Sequence, residues 1–364
     1  MFAQLEQWLR SPHLPWMAAG VAFVLCLPAL WIGLILDDYV QQGLLKGVPH
    51  AMEQFVATDE MFEFATGDPE RTQLLMQSGF MPWWTWEHLR FCFYRPLSAM
   101  THQLDWLLWP SVYPLMHLHS LLWLALLVLA VGCLYRRIMG PGVVSGLATL
   151  LYALDEAHAV PAGWLAARNG LVGAVFGVVV MLLHVEGRNA EGTRKYAFGI
   201  LAPFFLVAAL LSNEGAVGIV AYLLAYAVVL DKGQWFRRLF SLAPYALVVV
   251  GWRFAYGMLG YGVVGSDLYV DPISSPLHFV SVLIVRAPIQ LLAQWVIPSS
   301  TVFMFLSRPA QVFVWISAVL ILSVLFWLAV PLLKNNRMAG FWALGTSLSI
   351  VPACSAFPQE RLLF

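Results

Sequence analysis

The sequence predicts an all-α, polytopic integral membrane protein, because its composition is strongly apolar and its apolar runs are long. Of its 364 residues, 60% are hydrophobic and 11% are charged. Soluble proteins carry about 25% charged residues, so this composition excludes an ordinary aqueous domain. Lys plus Arg and Asp plus Glu balance at 20 each, and no basic tract indicates nucleic acid as a partner. Membrane lipid is the expected surrounding.

The apolar runs predict about ten spans. The first run, 16–36, is uncharged, long enough to cross a bilayer as one helix, and followed directly by Asp37 and Asp38. The run 276–297 carries Arg286 at its centre, so we predict a re-entrant or interfacial helix on the outer side. The other predicted spans are 113–135, 141–155, 166–184, 196–212, 214–230, 239–256, 309–333 and 338–353.

Four basic clusters predict the orientation of these spans. The clusters are Arg136-Arg137, Arg188 to Lys195, Lys232 to Arg238, and Lys334 with Arg337. By the positive-inside rule they face the cytoplasm, and the N-terminus lies on the same side. The alternate loops then face outward, and we expect a bacterial inner-membrane protein whose site faces the periplasm or the exterior.

The first outer loop, 37–112, is the longest segment outside the predicted spans. Its Trp residues alternate with single charges, which is typical of amphipathic helices lying in the headgroup region. These Trp residues are Trp83, Trp84, Trp86, Trp106 and Trp109. We therefore predict interfacial helices here, within a single transmembrane domain that covers 1–364 and includes no soluble domain.

Acidic residues mark the outer ends of the predicted spans. They are Asp37, Asp38, Asp155, Glu156, Glu214 and Glu360, with His158 nearby and single arginines at Arg95, Arg168 and Arg361. The positive-inside rule already explains why outer loops are poor in Lys and Arg. It does not explain why acidic residues lie at the boundaries of apolar runs. Ionisable groups at such a depth usually line a water-filled cavity or pair with one another.

Several of these residues also have structural interpretations. Asp37 and Asp38 also fit a solvated end of a helix, and Glu214 fits an acid that complements the dipole of the next helix. A lone His158 is more often a hydrogen-bonding residue than a ligand. The pattern Asp155-Glu156-x-His158 leaves a divalent metal open, although we expect no cofactor.

The same residues also predict a chemistry. A carboxylate of the Asp pair can take a proton from an acceptor hydroxyl, and Arg95 beside Pro96 suits a phosphate headgroup at the membrane surface. Transfer of a sugar from a lipid phosphate needs both functions, and cationic side chains can stabilise the departing phosphate without a metal. Because successive helical residues point about 100° apart, only one carboxylate can face a given cavity.

An ordered set of five motifs resembles the GT-C superfamily of membrane glycosyltransferases, most closely the transmembrane-and-tetratricopeptide-repeat O-mannosyltransferases and their bacterial relatives. The set is Asp37-Asp38, Tyr94-Arg95-Pro96-Leu97, the segment 153–170 with His158 and Arg168, Ser212-Asn213-Glu214, and Glu360-Arg361-Leu362-Leu363-Phe364. No tetratricopeptide repeat is present. In relatives further spans follow the Glu-Arg motif, so the resemblance predicts that this chain is shortened at Phe364.

The resemblance implies an inverting transfer of a sugar from a polyprenyl-phosphate-linked donor to an acceptor on a protein, lipid or glycan. One residue of the acidic pair would be the base, with Asp38 slightly favoured, and Arg95, His158, Arg168, Glu214, Glu360 and Arg361 would bind substrate. The chain departs from the family at Asn213, where the family has Lys, and at Ser120 and Leu124, where it has Asn and His. A catalytically silent scaffold and a secondary transporter remain open as alternatives.

Overall fold

A computed structural model describes residues 2–46, 61–266, 268–295 and 299–359 of the chain. The regular secondary structure of these residues is nearly all helical, as predicted, and three short strands are the exception. The helices are α1 (Phe2–Leu9), α2 (Leu14–Leu25), α3 (Asp37–Lys46), α4 (Pro69–Gln77), α5 (Pro96–Leu108), α6 (Tyr113–Met139), α7 (Val143–Ala153), α8 (Ala159–Gly163), α9 (Arg168–Asn189), α10 (Gly192–Leu210), α11 (Ile219–Ala225), α12 (Trp235–Phe240), α13 (Ala243–Met258), α14 (Pro276–Ala293), α15 (Arg308–Asn335) and α16 (Arg337–Ala353). The strands are β1 (Glu63–Thr66), β2 (Arg90–Cys92) and β3 (Gly262–Val264).

Seven helical segments among the described residues are long and apolar enough to cross a membrane, which makes this a polytopic integral membrane protein. They are Leu14–Trp31, Tyr113–Met139, Leu165–Asn189, Gly192–Leu210, Trp235–Met258, Pro276–Ala293 and Arg308–Asn335. A pair of helices bent by 41°, Val143–Ala153 and Glu156–Gly163, would make an eighth. The count of about ten spans therefore stays a prediction, as does the re-entrant course of α14.

The chain divides into two compact units, and the first comprises residues 1–61 and 95–219. In it α6 packs against α2, α7 and α9, and α9 packs against α10. Small residues permit this close packing, as is usual between membrane helices. A Cβ added at Gly132 of α6 would lie 2.8 Å from Thr149 of α7 and 2.9 Å from Pro15 of α2. The prediction of a single domain over 1–364 stays a prediction.

The first apolar run does not form one helix up to the Asp pair. Helix α2 ends at Leu25, a 3-10 turn covers Leu27–Trp31, and the chain then breaks before α3. The break depends on left-handed backbone at Gly33 (φ 74°) and at Leu36 (φ 46°). Left-handed backbone is unstrained for glycine but costs a residue such as leucine free energy. This break ends the first span and starts a new helix at the first aspartate.

The second unit comprises residues 62–94 and 220–364, so the first outer loop contributes to both units. Its sheet has the order β1-β2-β3 with antiparallel neighbours. Strand β2 comes from the first outer loop and β3 from the loop 257–275, which the basic clusters assigned to the same side. This pairing agrees with that assignment of sides.

The predicted interfacial helices of the first loop are only partly present. Trp83, Trp84 and Trp86 lie in turns between α4 and β2, and their side chains are exposed. In the first unit, Trp106 and Trp109 pack against a buried cluster of Leu34, Met116 and Leu165 instead of standing free at a surface. Proline and glycine residues and the pairing of β2 exclude a continuous helix over 79–92.

Arg286, at the centre of α14, faces protein. Its Nη1 donates to the carbonyl of Cys354 at 3.1 Å and to that of Ser355 at 3.4 Å. Both carbonyls follow the end of α16, where a helix leaves acceptors without intrahelical partners. The guanidinium of Arg286, on the apolar helix α14, therefore supplies donors to carbonyl groups at the end of α16.

Candidate active site

The Asp pair lies at the beginning of α3, so the interpretation of a solvated end of the first helix is wrong. Both carboxylates occupy the first turn of α3, where the helix dipole favours negative charge. The pair nevertheless separates into two environments. Asp38 is 3% exposed, whereas Asp37 is half-buried.

Asp38 is held by two backbone donors from different parts of the first unit. Its Oδ2 accepts from the N–H of Ile35 at 3.0 Å, and its Oδ1 accepts from the N–H of Ala166 at 2.7 Å. The first bond closes the turn before α3, and the second ties α3 to the 3-10 turn that precedes α9. Asp38 therefore fixes where α3 begins.

The pKa of Asp38 is raised to about 6, chiefly because burial penalises the charged form. The neighbouring charge of Asp37 raises it further, while hydrogen bonds from the backbone of Ile35, Ala166 and Leu165 lower it. Desolvation is thus the larger effect, although the carboxylate is well supplied with donors. A carboxyl group that titrates near neutral pH is suited to exchange a proton.

A small cavity lies beside Asp38 in the first unit. Polar groups from α3 and α5 line it, together with apolar side chains from the cluster around Leu34. The lining residues are Leu34, Asp38, Gln41, His102, Asp105, Trp106, Met116 and Leu165. The cavity has room for about one water molecule, which is too little for a sugar in this conformation.

Asp105 is the centre of a buried ionic cluster next to this cavity. Its Oδ2 forms an ion pair with Nη1 of Arg168 at 2.5 Å. Its Oδ1 lies 2.6 Å from Nδ1 of His119, whose Nε2 accepts from Nε1–H of Trp123 at 3.0 Å. Because Nε2 accepts this bond, Nδ1 is the ring nitrogen that donates to Asp105.

Arg168 is fully buried, and its guanidinium is engaged by protein groups. Besides the ion pair with Asp105, Nε donates to Oγ of Ser120 at 2.9 Å and Nη2 donates to the carbonyl of Met116 at 2.7 Å. The planar, multidentate guanidinium joins α5, α6 and α9 here. Arg168 does not line the cavity, and its binding of substrate stays a prediction.

Arg95 and Glu214, both predicted to bind substrate, form an ion pair. The Nε and Nη2 atoms of Arg95 each lie 2.8 Å from Oε2 of Glu214. Arg95 immediately precedes α5, and Glu214 begins a short 3-10 helix. Both side chains remain about one-fifth exposed, at 16% and 21%. The pair therefore places a cation where solvent reaches it.

His158 makes contacts with a neighbouring segment of the chain. It is buried, its Nε2 donates to the carbonyl of Tyr152 at 2.7 Å, and its ring packs against the Tyr152 ring. These local contacts match the interpretation of a hydrogen-bonding histidine. Glu360 and Arg361 lie outside the described residues.

Metal binding has little support in the described ranges. No group of three or more His, Cys, Asp or Glu side chains in them is arranged to hold a metal ion. The expectation of no cofactor stays a prediction.

Sequence reasoning missed His102, Asp105 and His119, and also Gln41. A signal was available in α5, where Ser98, His102 and Asp105 recur four and three residues apart. That spacing puts them on one face of a helix, and all three are buried. Polar residues on a buried face must find partners, so this stripe predicts an internal polar cluster.

Comparisons of the chain with family models, with curated proteins and with solved structures find no match.

Proposed function

We propose that this protein is a membrane glycosyltransferase that moves a sugar from a polyprenyl-phosphate-linked donor to an acceptor hydroxyl. The observation that carries the proposal is the Asp pair at the start of α3, with one carboxylate half-buried and the other buried and tied to the backbone. Such a pair supplies a base and a residue that positions it. The resemblance to the GT-C superfamily supplies the reaction.

In this proposal Asp37 is the base and Asp38 its positioning residue, although the resemblance slightly favoured Asp38. The reason is that Asp38 is buried and held by two backbone donors, whereas Asp37 is half-buried. Asp37 takes the proton from the acceptor hydroxyl as the acceptor oxygen forms a bond to the anomeric carbon. The bond from that carbon to the phosphate oxygen breaks, and the polyprenyl phosphate leaves with the electron pair. Attack from the face opposite the phosphate inverts the configuration at this carbon.

Arg95 supports the proposal because a solvent-accessible guanidinium can stabilise the negative charge on the departing phosphate. Its ion pair with Glu214 fixes the position of the guanidinium. The carboxylate also compensates the positive charge of Arg95. When the donor binds, its phosphate would contact the guanidinium of Arg95. Glu214 would remain paired with the opposite side of the same guanidinium.

Replacement of each aspartate tests the proposal. We expect Asp37→Asn to lower the rate of transfer by about 100-fold or more, the usual contribution of a general base. Asp38→Asn keeps the shape, but its amide nitrogen cannot accept a hydrogen bond. One of the two backbone bonds is therefore lost, and about a tenfold loss of rate is expected. The measurement is release of polyprenyl phosphate in proteoliposomes, with membrane extract as acceptor. Full activity in both variants would contradict the assignment.

A second candidate function is proton-coupled transport, favoured by the buried Asp38, Asp105 and Arg168. Buried ionisable groups in membrane proteins mark ion pathways as well as active sites. Flux of a solute into liposomes that requires no sugar donor and follows an imposed proton gradient would support transport instead of transfer.

A further inference from the structure

The cavity beside Asp38 contains an amide without a partner. Gln41 is 3% exposed, lines the cavity, and its Nε2 makes no hydrogen bond within the described part of the chain. A buried donor without an acceptor destabilises the folded protein. Gln41 follows Asp38 by three residues on α3, so the two side chains share a face.

The chemistry of the lining identifies what fits there. The Nε2 of Gln41 offers hydrogens, while the carboxylates of Asp38 and Asp105 accept them. A water molecule can accept from the amide and donate to both carboxylates, and the cavity has about the size of one water. Internal waters with three such bonds are typical of polar cavities.

The charges around the cavity do not balance. Asp38 and Asp105 carry two negative charges, and Arg168 supplies one positive charge. The Nε2 of His119 accepts from Trp123, and burial lowers the pKa of His102 well below its usual value. His117 donates its Nε2–H to the carbonyl of Gly33 at 2.7 Å, and half-buried Asp37 adds further negative charge on the same turn.

A buried excess negative charge is costly and is usually relieved by protonation. Arg168 forms an ion pair with one oxygen of Asp105, and Nδ1 of His119 lies within hydrogen-bond distance of the other. Each oxygen of Asp38 accepts one backbone N–H and retains a lone pair that can carry a hydrogen. The proton therefore belongs on Asp38.

We propose that this cavity is a proton-binding site in which Asp38 holds an exchangeable proton and one internal water links it to Asp105 and Gln41. The protonated carboxyl of Asp38 donates to the water, which donates to Asp105 and accepts from Gln41. On ionisation the proton passes to bulk water and the internal water turns to donate to Asp38. The site does not depend on sugar transfer, so its test needs no donor or acceptor.

The test is the pH dependence of carbodiimide labelling of Asp38, because the reagent attacks protonated carboxyl groups in apolar surroundings. Full-length protein in lipid nanodiscs is labelled at different pH values, and the modified peptide is quantified by mass spectrometry. We expect labelling to fall with a midpoint of about pH 6, because burial raises the pKa of Asp38 to about 6.

Two substitutions should move this midpoint in opposite directions. Asp105→Asn removes a negative neighbour and leaves Arg168, so the midpoint should fall by about one pH unit or more. Gln41→Leu removes the donor that orients the water, so the midpoint should rise by about half a unit. Glu186→Gln is the matched control, since Glu186 pairs with exposed Arg137 and should leave the midpoint unchanged.

Infrared spectroscopy of the wild type provides a measurement that does not depend on variants that fold poorly. The carbonyl stretch of a protonated carboxylic acid should grow as the pH falls through about 6, and Asp38→Asn should abolish this band. Labelling that is independent of pH, or midpoints unchanged in both Asp105→Asn and Gln41→Leu, would overturn the proposal. Protection of Asp38 by sodium, but not by potassium, at constant pH would also overturn it, in favour of a sodium site.

Discussion

At the scale of the residue, Asp37 and Asp38 differ although they are adjacent in sequence. The sequence predicts that only one can face a given cavity, because helical residues in succession point about 100° apart. The environments of the two cannot be predicted in this way. They depend on Ala166, whose N–H reaches Asp38 from a segment 128 positions away in the chain.

The pKa of Asp38 predicts how its contribution to stability changes with pH. The value rises from 3.8 to about 6 on folding, so the folded state binds the proton more tightly. This contribution is therefore complete below the unfolded pKa and is lost as the pH rises through the folded pKa. We expect the free energy of unfolding to lose about 2 kcal/mol from this group between about pH 4 and pH 7.

Thermal unfolding of detergent-solubilised wild type and Asp38→Asn across this range measures the effect. The variant cannot ionise at this position, so its unfolding temperature should change less with pH than that of the wild type. Parallel pH profiles for the two proteins would show that burial of Asp38 is not linked to protonation.

At the scale of the element, the break between α2 and α3 decides where the Asp pair lies. The uncharged run 16–36 predicts a continuous helix, since composition and length alone favour it. The actual ending depends on Gly33, whose left-handed backbone (φ 74°) presents a carbonyl to His117. A hydrogen bond to a residue 84 positions away leaves no periodic signal in the local sequence.

Gly33→Ala tests the importance of this break. Nothing lies within 4 Å of an added Cβ, so the substitution acts through the backbone alone. We expect a loss of about 1–2 kcal/mol in stability, because alanine is strained at positive φ, together with reduced sugar transfer as Asp37 shifts. Unfolding temperature and transfer rate are the measurements.

Gly20→Ala is the matched control for this prediction. Gly20 lies within α2, and it also has nothing within 4 Å of an added Cβ. Because its backbone is helical, alanine should be neutral or stabilise by up to about 1 kcal/mol. Equal effects of the two substitutions would show that the left-handed turn is unimportant.

At the scale of the whole molecule, contacts within each unit agree with the predicted sides of the membrane. Segments assigned to the outer side contact each other, as in the pair of Arg95 with Glu214. Segments assigned to the cytoplasm do the same, since Arg136 donates to the carbonyl of Ser11 at 2.9 Å and Arg137 pairs with Glu186. Which group of segments faces the cytoplasm stays a prediction from the positive-inside rule.

Cysteine labelling tests both this orientation and the course of α14. A membrane-impermeant maleimide applied to intact cells should label Glu87→Cys, while Arg194→Cys should react only after permeabilisation. If α14 is re-entrant, Ser307→Cys should also react from outside. The native cysteines are free, so the wild type provides the background, and a protected Ser307→Cys would instead show that α14 crosses the membrane.

Composition and hydropathy were enough to predict a helical membrane protein and the course of most of its apolar helices, and the basic clusters predict that acids gather on one side. Hydropathy and charge act locally, so each is readable from a short window of sequence. The tertiary structure alone decided that Asp38 is buried, that Arg168 pairs with Asp105, and that Gln41 borders a cavity. Those features depend on long-range contacts between α3, α5 and α9, and burial arises only when these helices pack.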